Sequence, residues 1–162
     1  MILNAFTVFH VVLSLIGVGS GVVVIYGLIK AKMLGGWTKL FLATTAATSL
    51  TGFLFPFHGF TPAQALGVLS LIVLLIATLA PYRYHLLGIW RRTYAIAAVI
   101  ALYFNVFVLV VQLFRRVPAL EAMAPTQSEP PFQIAQLAVL LLFAAIGIRA
   151  AIVNPAKLSR DS

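Results

Sequence analysis

Apolar residues fill five long stretches of the chain, and short segments between them carry nearly all of the charge. About 20 apolar residues in a helix cross a bilayer core of roughly 30 Å, and each stretch has about this length. None of the five contains an acidic residue. The pattern predicts an all-α polytopic membrane protein, one bundle of five transmembrane helices occupying residues 1–162. We call the predicted helices spans one to five: Ile2–Ile29, Trp37–Phe57, Pro62–Ala80, Tyr94–Phe114 and Phe132–Val153.

Composition supports a membrane protein and excludes several chemistries. The chain is 62% hydrophobic and 9% charged, with a mean hydropathy of +1.09, whereas soluble domains carry about 25% charged residues. The net charge of +8 lies in short loops, where cations orient helices and meet anionic lipid heads, so we predict the lipid bilayer as a partner and no nucleic acid. The absence of cysteine excludes disulfides and thiolate metal sites.

The distribution of cations between the loops predicts the orientation. Positively charged loops remain in the cytoplasm, and here they favour an outer N-terminus and a cytoplasmic C-terminus. Span one has no basic residue before Lys30, so we interpret it as an uncleaved first span of a multi-pass protein of the bacterial inner membrane. Two of the eleven cations, Arg115 and Arg116, fall on the predicted outer side. The inner cations are Lys30, Lys32, Lys39, Arg83, Arg91, Arg92, Arg149, Lys157 and Arg160.

The outer segment between spans four and five differs from the other loops. Pro118 is suited to the first turn of a helix, and it predicts a helix of one or two turns lying on the outer surface. Three further prolines lie in residues 124–131, which we expect to form an ordered or semi-rigid loop.

Small and hydroxyl residues predict how spans one and two pack. Gly17 and Gly21 are four residues apart, the spacing that lets two membrane helices approach closely. Span two carries an unusual number of hydroxyl side chains over about half of its circumference. We therefore predict that the two glycines pack against these hydroxyls, which belong to Thr44, Thr45, Thr48, Ser49 and Thr51.

Uncharged polar residues concentrate in the predicted outer half of the membrane. Polar groups in hydrocarbon are costly unless they are paired, so their positions suggest functional sites. We predict that they converge in a ligand pocket open to the outer side; the alternative is that they only help the helices to pack. The candidate pocket residues are His10, Thr48, Thr51, Asn105, Gln112 and Gln136.

The histidines allow a redox alternative. His10 and His58 lie on neighbouring spans, and two such histidines are able to hold a haem b as axial ligands or to contribute to a metal site. Their spacing is not specific, because His58 lies nearer the outer surface. The simpler interpretation is a hydrogen-bonded interior His10, a loop-bonded His58 and an interfacial His85.

No motif indicates hydrolytic or transferase chemistry. The chain lacks a phosphate-binding loop, a zinc-protease helix and a serine nucleophile elbow. The sequence favours a non-catalytic membrane component that binds a hydrophobic ligand or a partner protein, including a second copy of itself. The first alternative is a small haem- or quinone-associated redox protein that uses His10 and His58. The second is a transporter or channel subunit.

Two stretches carry a resemblance to known proteins. They are residues 51–57 with Thr61 and Pro62 (TGFLFPF, then TP), and residues 124–131 (APTQSEPP). In these stretches the chain resembles a group of small bacterial inner-membrane proteins with no known activity. The resemblance covers about the last two-thirds of the chain and implies an all-helical membrane protein. It transfers no functional residue.

Overall fold

Six helices make up the regular secondary structure of the computed structural model, which describes residues 2–55 and 62–153. In chain order they are α1 (Ile2–Ile29), α2 (Gly35–Gly52), α3 (Pro62–Tyr82), α4 (Trp90–Arg116), α5 (Pro118–Met123) and α6 (Pro130–Ile152). The described residues contain no strand, so the all-α prediction is confirmed for this part of the chain.

Helix α4 lies at the centre of the bundle. It packs against α1, α3 and α6, while α2 packs against α1 and α3. Helices α1–α4 therefore form a four-helix arrangement. Helix α6 packs against α4 at the periphery of this arrangement. The buried face of α4 is rich in alanine, with Ala95, Ala98 and Ala101 fully buried. Small side chains let neighbouring helices approach closely, which explains why this helix accommodates three long neighbours.

Four helices, α1, α3, α4 and α6, are long and apolar enough to cross a membrane. Many of their large apolar side chains are exposed, among them Phe9 on α1, Leu75 on α3 and Leu141 on α6. A water-soluble protein buries such a surface, whereas a bilayer solvates it. The structure therefore indicates a multi-pass membrane protein.

Helix α2 differs from predicted span two. It ends at Gly52 rather than Phe57, and its backbone continues as a turn at Phe53 and Leu54. Pro56 follows in the sequence, and the residues before a proline are disfavoured in helical conformation. At about 1.5 Å per residue, the 18 residues of α2 measure about 27 Å. Since α2 is not among the four sufficiently apolar helices, its crossing of the membrane stays a prediction.

Prolines begin three helices on the predicted outer side, and Pro62 is the first residue of α3. Pro118 is the first residue of α5, as predicted. Pro130 begins α6 two residues before predicted span five, so the expectation that Pro130 and Pro131 belong to the loop is wrong. A proline lacks only an N–H group that the first helical turn leaves unpaired, and its fixed φ angle suits that position.

The other end of the bundle gathers most of the basic residues. The turns at residues 30–34 and 83–89 lie there, together with the carboxyl end of α6, because the Arg91 guanidinium donates a hydrogen bond to the Val153 carbonyl oxygen. In the second turn the Tyr84 and Trp90 rings stack with their centroids 3.8 Å apart. His85 is exposed in this turn and has a positive φ of 50°. We call this end of the bundle the basic end.

Candidate functional site

Polar side chains recur along α2 where it faces α1 and α4. We call this row the polar seam. Serine and threonine elsewhere in the bundle mainly bond backbone carbonyls of their own helix, as Ser20, Thr44 and Thr78 do. Six members of the seam instead make hydrogen bonds between helices: Thr38, Thr45 and Thr51 of α2, Tyr94 and Asn105 of α4, and His10 of α1. Thr48 of α2 lies in the same row.

Two hydrogen bonds of the seam join α2 to α4. Near the basic end the Tyr94 hydroxyl donates to the Thr38 Oγ1 over 3.2 Å, and both residues are buried. Farther along, the Asn105 Nδ2 donates to the Thr45 Oγ1 over 3.1 Å. The Asn105 contact was not predicted, because Thr45 was not among the candidate pocket residues. These two bonds fix the register of α2 against α4 in a part of the bundle that is otherwise apolar.

The third hydrogen bond joins α1 to α2 and involves His10. The Thr51 hydroxyl already donates to the Ala47 carbonyl oxygen at 2.7 Å, so it accepts a hydrogen bond from the His10 Nδ1–H at 2.8 Å. In a neutral imidazole, a proton on Nδ1 leaves the lone pair on Nε2. The Phe55 ring lies edge-on to the imidazole, with centroids 5.1 Å apart. The predicted partner His58 lies outside the described residues.

Two glycines of α1 lie against α2 and α4, and only Gly17 packs against hydroxyls as predicted, because the neighbours of Gly21 are Leu102 and Phe41. A Cβ atom on Gly17 would lie 3.3 Å from the Thr45 Oγ1 and 3.4 Å from the Asn105 Nδ2. A Cβ atom on Gly21 would lie only 2.7 Å from the Leu102 Cδ1 and 2.8 Å from the Phe41 Cε2. The backbone of α1 therefore approaches α2 and α4 more closely than any other residue allows at position 21.

Three other candidate residues have different surroundings. The Thr48 Oγ1, between Thr45 and Thr51 on the same face of α2, is buried and has no hydrogen-bond partner. On α6 the Gln136 Nε2 donates to the Phe107 carbonyl oxygen of α4, while its Oε1 is buried without a partner. Gln112 is exposed. The structure thus places His10, Thr48, Thr51 and Asn105 along the seam and Gln136 between α4 and α6. Their binding of a ligand stays a prediction.

Gln112 is exposed although it lies seven residues after the buried Asn105 on the same helix. Seven residues make nearly two full turns of a helix, short by only about 20°, so both side chains leave α4 in similar directions. Asn105 is buried and Gln112 is not. Spacing along a helix determines the direction in which a side chain points. Whether a neighbouring helix covers that side chain depends on the packing of the bundle.

An open apolar groove with a volume of about 440 Å³ runs along the surface between α4 and α6. On the α6 side the small residues Ala144, Gly147 and Ala151 form its floor, and a Cβ atom on Gly147 would lie 3.5 Å from the Val99 Cγ1. This groove was not predicted, although small residues recur at three- and four-residue spacing in span five. The groove is lined by Ile96, Val99, Ile100, Tyr103, Leu140, Phe143, Ala144, Gly147, Ile148 and Ala151.

The loop before α6 is organised by the Glu129 carboxylate. Its Oε1 accepts hydrogen bonds from the Thr126 hydroxyl at 2.7 Å and the Thr126 backbone N–H at 3.1 Å, and its Oε2 accepts one from the Ser128 N–H. The Thr126 hydroxyl bond is the main reason why the pKa of Glu129 lies below its usual value. The Gln127 side chain donates to the Val111 carbonyl oxygen and attaches the loop to α4.

Among residues 2–55 and 62–153, no three histidine or acidic side chains are grouped closely enough to hold a metal ion. The chain matches no protein-family model, no curated protein and no solved structure. The resemblance to small bacterial inner-membrane proteins therefore stays a prediction.

Proposed function

We propose that the protein is a non-catalytic, multi-pass component of the bacterial inner membrane that binds the hydrocarbon chain of a hydrophobic ligand. The observation that carries this proposal is the apolar groove between α4 and α6. Its volume of about 440 Å³ falls within the range of roughly 300–1,000 Å³ for ligand sites in proteins.

The lining of the groove favours hydrocarbon over a polar ligand. The only polar side-chain atom among its ten lining residues is the Tyr103 hydroxyl oxygen. The backbone amides of both helices form hydrogen bonds within the helices, so the groove has few groups for a polar ligand to bind. A flexible chain of methylene groups gains dispersion contacts along such a surface without losing hydrogen bonds.

The proposed arrangement in the membrane has five crossings, an outer N-terminus and a cytoplasmic C-terminus. Helix α2 is the fifth crossing in this proposal. It packs between α1 and α3, and its hydroxyls bond within the bundle rather than facing lipid. The basic end faces the cytoplasm, because seven of its described side chains are lysine or arginine. These are Lys30, Lys32, Lys39, Arg83, Arg91, Arg92 and Arg149.

Filling the groove tests the proposal. Ala144 and Ala145 are adjacent and exposed on α6, but only Ala144 lines the groove. The protein is purified in a mild detergent, and the lipid that it retains is extracted and measured by mass spectrometry. We expect Ala144→Phe to lose most of the retained lipid and Ala145→Phe to retain as much as the wild type. Equal retention by the two variants contradicts the proposal.

A redox function is a second candidate because of the His10 hydrogen bond. Histidines that bind a metal usually donate their other ring N–H to a fixed acceptor. The His10 Nδ1–H has such an acceptor in Thr51, which leaves the Nε2 lone pair for a haem iron or a quinone hydroxyl. A Soret band in membranes expressing the protein, lost in His10→Ala, would support haem binding. A colourless protein without bound quinone would exclude this candidate.

A further inference from the structure

We infer that the ligand of the groove is an anionic phospholipid, with one acyl chain in the groove and its phosphate bound by Arg92. This inference rests on the proposed function of the groove and adds the chemical class of the ligand.

Arg92 lies in line with the groove along α4. It precedes Ile96 by four residues, and Val99 and Tyr103 follow at the spacing that keeps side chains on one face of a helix. Ile96 marks the end of the groove nearest the basic end, so Arg92 lies about one turn, roughly 5 Å, beyond the apolar lining. A lipid whose chain follows the groove brings its phosphate to this height.

The surroundings of Arg92 leave its guanidinium available for an anion. Arg92 is exposed, and no described residue forms an ion pair with it. Its neighbour Arg91 donates one hydrogen bond to the Val153 carbonyl oxygen and joins α4 to the end of α6. An arginine has five N–H donors, so Arg91 retains others for the same phosphate. The described acidic residues, Glu121 and Glu129, belong to the segment at the opposite end of α4.

Charge and shape favour a lipid over another protein chain. A guanidinium binds a phosphate through two parallel hydrogen bonds, a geometry that phospholipids provide at the membrane surface. A second copy of this chain, inserted in the same orientation, would place its own basic end beside Arg92, and like charges oppose that contact. An anionic head group also compensates the excess positive charge of this end.

The experiment measures which lipid the protein retains. The wild type is reconstituted in nanodiscs of equimolar phosphatidylglycerol and phosphatidylcholine, transferred to detergent, and analysed for bound lipid by native mass spectrometry. We expect phosphatidylglycerol to predominate. In Arg92→Gln the ratio of phosphatidylglycerol to phosphatidylcholine should fall about fivefold, which corresponds to the roughly 1 kcal/mol that one arginine near the surface contributes. Arg116→Gln removes a cation from the other end of α4 and should leave the ratio unchanged.

The variants separate failure of this inference from failure of the proposed function. Ala144→Phe should lose both lipids. If it does but Arg92→Gln keeps the wild-type ratio, the groove binds lipid chains and the head-group assignment is wrong. If the ratio falls in Arg116→Gln as much as in Arg92→Gln, overall charge explains the effect, and the assignment of the phosphate to Arg92 is also wrong. If Ala144→Phe retains lipid as Ala145→Phe does, the groove is not the site, and the proposed function fails as well.

Discussion

The close contact at Gly21 gives the sharpest test of the bundle's packing. Replacing Gly21 with leucine adds four carbon atoms where α1 lies against α2 and α4. The first of these carbons would lie 2.7 Å from the Leu102 Cδ1 and 2.8 Å from the Phe41 Cε2. Carbon atoms in contact normally lie about 3.5–4.0 Å apart. The neighbours must therefore move by about 1 Å even before the rest of the new side chain is accommodated.

The surroundings determine how costly this movement is. The Leu102 methyl group is the end of a flexible side chain, but Phe41 is a rigid ring that is fully buried. Overpacking of a well-packed core typically costs about 1–3 kcal/mol. For a chain of this size, 1 kcal/mol corresponds to about 2–4 °C in the melting temperature. We therefore expect Gly21→Leu to lower the melting temperature by about 2–12 °C.

Gly19 on the same helix provides the matched control. It is exposed, and a Cβ atom there would have no neighbour within 4 Å. Glycine in a helix is less favourable than alanine by about 0.5–1 kcal/mol, so Gly19→Ala should raise the stability slightly and Gly19→Leu should not lower it. Thermal unfolding of both series in one detergent is followed by circular dichroism. If Gly21→Leu and Gly19→Leu melt at the same temperature, α1 does not pack through Gly21 as described.

The remaining predictions concern the seam, the outer loop and the orientation. Asn105→Ala should lower the unfolding free energy by about 0.6–1.7 kcal/mol, the range for hydrogen bonds between membrane helices, whereas the exposed Gln112→Ala should leave it unchanged. Hydrogen bonds lower the pKa of Glu129, so its contribution to loop order is complete above the usual pKa of 4.5 and is lost as the pH falls through the lowered pKa. Hydrogen exchange at the Thr126 amide should therefore accelerate over that acidic range. An exchange rate that shows no pH dependence after correction for the intrinsic rate contradicts this prediction. A fluorescent protein that folds only in the cytoplasm should fluoresce when it is fused after Ser162. A dark fusion together with an active periplasmic reporter at the same site contradicts the predicted orientation.

Much of the helical organisation could be predicted from hydropathy alone. The bounds of α1 match the prediction. Helix α3 ends two residues later than predicted, and α4 begins four residues earlier and ends two residues later. These helices are long apolar runs, and a bilayer permits few other structures for such runs because every backbone polar group must be paired internally. The end of α2 was misjudged, since apolar composition continues to Phe57 while the helix ends at Gly52.

The candidate site was predicted only in part. Polar residues in apolar segments identified His10, Thr51 and Asn105, and the structure places all three in interhelical hydrogen bonds. The partner of Asn105 could not be predicted, because several threonines lie on the same half of α2 and only the height of α4 selects Thr45. The groove between α4 and α6 was missed for a similar reason, since its lining residues are ordinary lipid-facing residues until two helices lie side by side.

The division between sequence and structure follows from the range of the forces involved. The sequence alone predicted a helical chain with five membrane-spanning runs, because hydropathy and backbone pairing act within one helix. Four helices of the described residues are long and apolar enough for this role. It also determined the close approach at Gly17 and Gly21, since small residues at that spacing have few other uses in an apolar helix. Tertiary structure alone decided that α4 is central, that Thr45 rather than Thr48 bonds Asn105, and that a groove opens beside Gly147. These features depend on the relative height and rotation of whole helices, which are set by the sum of many weak contacts between residues far apart in the chain.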